Sequence, residues 1–161
     1  MKLHTIHMTR ANVLGVGVHA VNLPLAAEML EAAVESGRGG YVCVTGVHGI
    51  MEAQRNARFK KILDDAMLVV PDGVPTVWVG RWEGFKNMGR VFGPDLMLEY
   101  CRRSLASRQT HFLYGGKPGI AEALRENLER GPQGSSVTGV SEEPAENDSR
   151  FTDAFSIEYD D

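Results

Sequence analysis

The segment Val69-Val70-Pro71-Asp72-Gly73-Val74-Pro75 constrains the fold more than any other stretch of this chain. Two β-branched residues favour an extended strand. Pro71 then removes a ladder donor and a glycine turn follows, so the strand has to stop. Asp72 is thereby delivered to the strand's carboxyl end. In open α/β sheets the ligand crevice lies outside those ends. A carboxylate there can serve as a base, a ribose partner, a ligand, or the N-cap of the next helix.

The flanking segments extend this into an alternation. Val13 to Val18 reads as a short strand or hairpin edge. Asn22 is placed to cap a helix with Pro24 in its first turn and Leu25, Met29, Leu30 and Ala33 on one face. Gly37, Gly39 and Gly40 end it. Tyr41-Val42-Cys43-Val44-Thr45 is apolar in the manner of a buried parallel strand. A helix is predicted from about Ile50 to Leu63, with Met51, Phe59, Ile62 and Leu63 turned inward. Met67 to Val70 is the next strand, and residues 74–82 a short helix. Pro94 and Asp95 start another helix, carrying Leu98, Cys101 and Leu105. Thr110 to Tyr114 is a strand, followed by the loop Gly115-Gly116-Lys117-Pro118-Gly119. A helix follows with Ile120, Leu124 and Leu128 in register, and Val137 to Val140 forms one more strand. Strands alternating with helices of about ten residues predict βαβ units. The expected fold is α/β, a Rossmann-like parallel sheet flanked by helices, as a single domain over residues 1–140.

Charge separates the remaining residues. Residues 141–161 hold eight acids against Arg150, a net of −7, while the whole chain of 161 residues carries −4. The first 140 residues therefore carry +3, which suits an anionic ligand. The acidic segment, poor in apolar residues, is expected to be a poorly ordered tail. The negative total and the absence of a Lys/Arg run argue against a nucleic-acid partner. Cys43 and Cys101 have neither a CxxC neighbour nor metal-ligand spacing and read as buried thiols in a reducing cytosol. Met1 to Val13 contains no apolar core of a signal peptide, and no window approaches the roughly 20 apolar residues of a spanning helix. These features predict a cytoplasmic protein, peripheral to a membrane at most.

Three strand ends carry candidate chemistry: Thr45, Asp72 and the loop at Gly115, Gly116 and Lys117. Backbone N–H groups, a lysine and a helix start make that loop a phosphate-site candidate, although it is neither GxGxxG nor a Walker loop. The alternative is an ordinary βα turn. Arg90, in the segment Gly89-Arg90-Val91-Phe92-Gly93 between two glycines ahead of a helix, could clamp a diphosphate through paired hydrogen bonds or could be a solvated surface arginine. His48 follows the Thr45 strand end and reads either as a substrate contact or as structural. Trp78 and Trp82, four residues apart, share a helix face suited to core or interface packing more than to sugar stacking. No Asp-x-Asp and no His/Cys cluster suggests a metal site, and no cofactor is expected.

Taken together and in order, four segments resemble the WecG/TagA/CpsF family of bacterial glycosyltransferases. They are Tyr41 to Ala53, Leu68 to Pro75, Gly89 to Met97 and Phe112 to Gly119, within a likeness running from about Asn12 to Val140. The resemblance implies inverting, metal-independent transfer of N-acetylmannosamine or a related hexose from a UDP-sugar donor. The acceptor would be an undecaprenyl-diphosphate-linked saccharide at the inner membrane face, in cell-surface polysaccharide biosynthesis. It implies Asp72 as catalytic base, with Thr45, His48, Gly73 and Arg90 at the substrate and Gly115, Gly116 and Lys117 at phosphate. Val47 stands where the family usually has asparagine. Family members also continue into a further strand with a Pro-x-Gln-Glu-like motif and a C-terminal segment that helps membrane docking. The chain is therefore expected to correspond to the first two-thirds of such an enzyme. The competing expectation is a catalytically inactive nucleotide-binding remnant or interaction module, with homo-oligomer formation left open. A dinucleotide oxidoreductase would need GxGxxG after its first strand, which Val13 to Val18 does not supply.

Overall fold

A computed structural model describes residues 9–131 and 134–141; the acidic tail beyond Ser141 lies outside the described residues. The chain forms two compact units that divide between Tyr100 and Cys101.

The first unit opens with a hairpin, β1 (Arg10–Val13) and β2 (Val16–His19), paired antiparallel. Leu14 and Gly15 both take positive φ, 53° and 80°, as a two-residue type I′ turn requires. Helix α1 (Leu23–Glu35) is capped as expected: the Asn22 side chain accepts from the Leu25 N–H at 3.1 Å. Its most buried residues are Ala26 and Ala27, with Leu25, Met29 and Leu30 packed partly buried around them.

Strand β3 (Val42–Thr45) pairs parallel with β4 (Leu68–Pro71), Thr45 opposite Pro71. The single helix expected between them is two: α2 (Val47–Arg55) and α3 (Ala57–Asp65). Asn56 breaks the run with an extended backbone, and its side chain accepts from the Phe59 N–H at 3.0 Å. Asparagine competes with the helix for backbone donors, so it favours a new start over continuation. The inward residues are consequently Ile50, Ala53 and Leu63, while Met51 is exposed. Helix α4 (Val74–Trp82) follows β4 and packs on β1. A Cβ on Gly80 would meet Met88 Sδ at 2.1 Å and Ala11 Cβ at 3.3 Å, so glycine permits this approach.

Two cores result. Ala11, Val13, Val16 and Val18 of the hairpin join Ile50, Leu63, Val69 and Met88 in one; Val21, Ala26, Ala27, Leu68, Val70, Val91 and Leu96 form the other. Val69 and its neighbours Leu68 and Val70 thus face opposite sides, as strand alternation requires.

Helix α5 (Gly93–Ser104) contains the division between the units. The second unit pairs β5 (Thr110–Tyr114) parallel with β6 (Ser136–Ser141), with α6 (Ile120–Arg130) between them in sequence. Ala121 and Leu128 form the buried side of α6; Ile120, expected inward, is exposed. Ser104 Oγ donates to the Cys101 carbonyl at 2.8 Å and lies 2.8 Å from His111 Nε2, tying the end of α5 to β5.

The α/β class expected from the sequence is what the chain adopts, with two parallel strand pairs and intervening helices. The strands do not join into one hydrogen-bonded sheet among the described residues. Between β2 and β4 the reason is local: the His19 ring occupies the β4 backbone. Its Nδ1 accepts from the Val69 N–H at 2.8 Å and lies 3.3 Å from the Val69 carbonyl.

Candidate functional site

The carboxyl ends of β3 and β4 meet at one point. The Asp72 N–H donates to the Thr45 carbonyl at 3.0 Å, one residue beyond the last ladder pair. Both chains then turn into helices through glycine, Gly46 at the N-cap of α2 and Gly73 at that of α4. A Cβ on Gly46 would sit 3.0 Å from the Asp72 carbonyl oxygen, and one on Gly73 would lie 3.8 Å from Gly46 Cα. Gly46 therefore lets the two backbones close on each other. Two helix N-termini, each with unpaired N–H groups and the positive end of a helix dipole, converge beside Asp72.

Asp72 does not cap α4. The N-cap is Gly73, with no side-chain cap bond, and Thr76 Oγ1 donates to the Gly73 carbonyl at 2.6 Å. The structural alternative for this acid is thereby removed. Its side chain is 25 % exposed and faces Arg90, whose Nη2 lies 3.4 Å from Asp72 Oδ1.

Arg90 is brought there by its neighbours. The Val91 N–H donates to the Pro71 carbonyl at 2.8 Å and the Gly89 N–H to the Val21 carbonyl at 3.0 Å. These bonds hold residues 89–91 alongside the end of β4. The Arg90 guanidinium stacks over Phe92, 4.8 Å from the ring centroid, an arrangement that orients the planar fork. One donor meets Asp72 at the long end of hydrogen-bond range, and a guanidinium has five.

Thr45 is nearly buried, at 4 % exposure, and its methyl group lies 3.2 Å from the Cβ position of Gly49. His48 is exposed in the first turn of α2, on the residue pair that follows Gly46. Thr45, Asp72, Gly73 and Arg90 thus come together where β3 and β4 end, with His48 on the adjoining helix.

Gly115, Gly116 and Lys117 belong to the second unit. Gly115 and Gly116 take φ of 92° and 95°, and α6 begins at Ile120 behind an αL Gly119, two residues later than Pro118 suggested. The Gly115 N–H donates to the Ser141 carbonyl at 2.7 Å, which leaves the anion-binding capacity of this loop to the residues that follow. Lys117 is exposed.

Sequence reasoning passed over His19, Gly46 and Phe92. A lone histidine in a short strand and a glycine at a strand end carry no motif; only the fold gives them partners. His19 is 1 % exposed, and burial, with the Arg10 guanidinium beside it, lowers its pKa to about 4. Arg10 Nε approaches His19 Nε2 at 3.2 Å, and Arg10 Nη2 donates to the Ala66 carbonyl at 2.9 Å. The Nε2 atom faces the Arg10 N–H and so is the one held as an acceptor, while Nδ1 lies beside both the N–H and the carbonyl of Val69. A cavity of about 360 Å³ in this unit is lined by His19, Leu25, Met29, Phe85 and Lys86 among others; no predicted site residue lines it.

Cys101 is buried and Cys43 half-buried, both free, and burial pushes both thiols up. Desolvated thiols of this kind are poor nucleophiles.

Comparison with known proteins gives two findings. The sequence model of the Glycosyl transferase WecG/TagA/CpsF family matches residues 11–156. That match runs past Val140 into the acidic segment. The chain is also similar to the N-acetylglucosaminyldiphosphoundecaprenol N-acetyl-beta-D-mannosaminyltransferase of Bacillus spizizenii, 23% identical over 109 residues. The aligned part is 68% of this chain and 42% of that enzyme, so the chain spans less than half the relative's length.

Proposed function

Because the chain belongs to the WecG/TagA/CpsF family of glycosyl transferases, we propose that it transfers a hexose from a UDP-sugar to a polyprenyl-diphosphate-linked saccharide. The work is cell-surface polysaccharide synthesis, and the donor sugar by analogy with the Bacillus relative is N-acetylmannosamine. The observation that carries this reading is the pairing of a strand-end carboxylate, Asp72, with a guanidinium, Arg90, at 3.4 Å beside two helix N-termini.

Such a site suits a single inverting displacement. Asp72 takes the proton from the acceptor hydroxyl. The acceptor oxygen then bonds to the sugar's anomeric carbon as the bond from that carbon to the diphosphate oxygen breaks. UDP leaves with the electron pair, and Arg90 and the helix N-termini stabilise the charge that develops on it. In this reading the guanidinium supplies the positive charge, so no metal ion takes part. Thr45 and Gly73 border the sugar, and His48 reaches it from the first turn of α2.

The test is transfer of radiolabelled sugar from UDP-N-acetylmannosamine to undecaprenyl-diphosphate N-acetylglucosamine, with and without chelator. Chelator-insensitive transfer is expected. Arg90→Ala should lower kcat by about a hundredfold, in the range for loss of one positioned transition-state donor. Arg90→Lys, which keeps the charge but not the fork, should recover only part of that loss. UDP binding by calorimetry without any transfer would instead identify a nucleotide-binding module.

A further inference from the structure

Helix α4 carries more apolar surface outward than the fold uses. Its inward residues are Thr76, Val77 and Gly80, which pack on the hairpin and Met88. On the other side Val74, Trp78 and Trp82 follow one another at four-residue spacing, so they form one stripe. They are 46 %, 66 % and 90 % exposed, and the last two are the chain's only tryptophans. Of the two expectations for these indoles, core or interface packing, their exposure excludes the core. A contiguous apolar strip of this size on one helix marks a contact surface.

We propose that this stripe is where the protein lies on a lipid bilayer, with the Asp72 site at its leading end. Three observations select a bilayer as the occupant. First, indole combines an apolar ring with a donor N–H, which places tryptophan at the headgroup level of membranes. Second, the local charge is complementary to anionic lipid. Beyond the pair formed by Asp72 and Arg90, the charged residues between Gly73 and Phe92 are Arg81 and Lys86 against Glu83, a net positive charge. The Glu83 carboxylate is held by the Asn12 N–H at 2.7 Å. Third, the stripe starts two residues after Asp72 and runs about 12 Å along the helix. An acceptor whose sugar hydroxyl is at Asp72 can therefore keep its lipid in a bilayer lying along α4. This third argument rests on the function proposed above; the first two do not. No described helix is long and apolar enough to cross a membrane, so the contact is interfacial.

The experiment is co-sedimentation of the full chain with vesicles of phosphatidylglycerol and phosphatidylcholine that contain no acceptor, in the absence of donor. The wild-type chain should partition onto them, more weakly at high salt, with tryptophan emission shifted to shorter wavelength. The double variant Trp78→Ala/Trp82→Ala should lose at least tenfold in partitioning while keeping its far-UV circular dichroism and thermal midpoint, since both side chains point away from the core. Trp82→Gln alone provides a second, less disruptive variant that adds no charge, and a loss of partitioning is expected there too. Undiminished partitioning of both variants, or none by the wild type, overturns the proposal. Self-association that the double variant abolishes, with no vesicle binding, assigns the stripe to a second copy and also overturns it. Vesicle binding by a wild-type chain that carries out no transfer would separate a failure of the enzymatic reading from a failure of this one.

Discussion

Replacing Asp72 with asparagine should reduce kcat for sugar transfer about a thousandfold or more, the upper part of the range for a positioned general base. Binding of the UDP-sugar should change by no more than about threefold. The isosteric amide can still accept from Arg90 and leaves the backbone bond from Asp72 to Thr45 in place, so the strand end keeps its shape. What it loses is the ability to take a proton. Single-turnover transfer measured beside donor binding by calorimetry separates the two effects. Partial recovery of Asp72→Ala turnover by added formate would strengthen the assignment, because a small carboxylate can enter the space left by the side chain. Lost donor binding with unchanged residual turnover would remove Asp72 from the role of base and make it a donor ligand.

Acid should unfold the first unit through His19. The folded pKa of about 4 lies below the ordinary value of 6.5, so the unfolded chain takes up this proton first as pH falls. The stabilisation is complete above pH 6.5 and disappears as pH drops toward 4. Its size is up to about 3 kcal/mol, the free-energy equivalent of that separation. The cause is structural: protonation would place an imidazolium in a buried space, with the Arg10 guanidinium beside it. Urea midpoints followed by circular dichroism at pH 7, 5.5 and 4.5 check this. His111, whose pKa burial also lowers, contributes in the same direction from the second unit. Comparison with His19→Gln isolates the His19 share, because the variant should have a lower midpoint at pH 7 and a flatter pH dependence. Parallel pH profiles for the two proteins would show that His19 is not the titrating group.

Much of the local structure was legible in the residues. Asn22 caps α1, residues 74–82 form α4 and Thr110 to Tyr114 form β5 as expected, because caps, prolines and apolar periodicity act within a few residues. The break at Asn56 was missed because the hydrophobic spacing on either side stays compatible with one helix, while a single side chain re-caps the backbone. Trp78 and Trp82 were legible as sharing a face, but not as to which way that face turns. Close packing of Gly80 on Ala11 and Met88 decides that.

The candidate site divides in the same manner. Sequence alone determined that a carboxylate ends a strand at Asp72, that glycines follow two strand ends, and that an arginine stands between glycine and valine before a helix. Those are properties of neighbouring residues, set by backbone sterics and hydrogen-bonding capacity. Only tertiary structure decided that Asp72 is released from capping by Gly73, that Gly46 admits its backbone, and that Arg90 is 3.4 Å from its carboxylate. It also decided that His19 takes the place of a strand pairing at Val69. Each of these depends on groups brought together from separate elements, such as the Val91 bond to Pro71 that carries Arg90 to the strand end. Long-range contacts of that kind come from packing two cores around β4, and residue spacing along the chain holds no record of them.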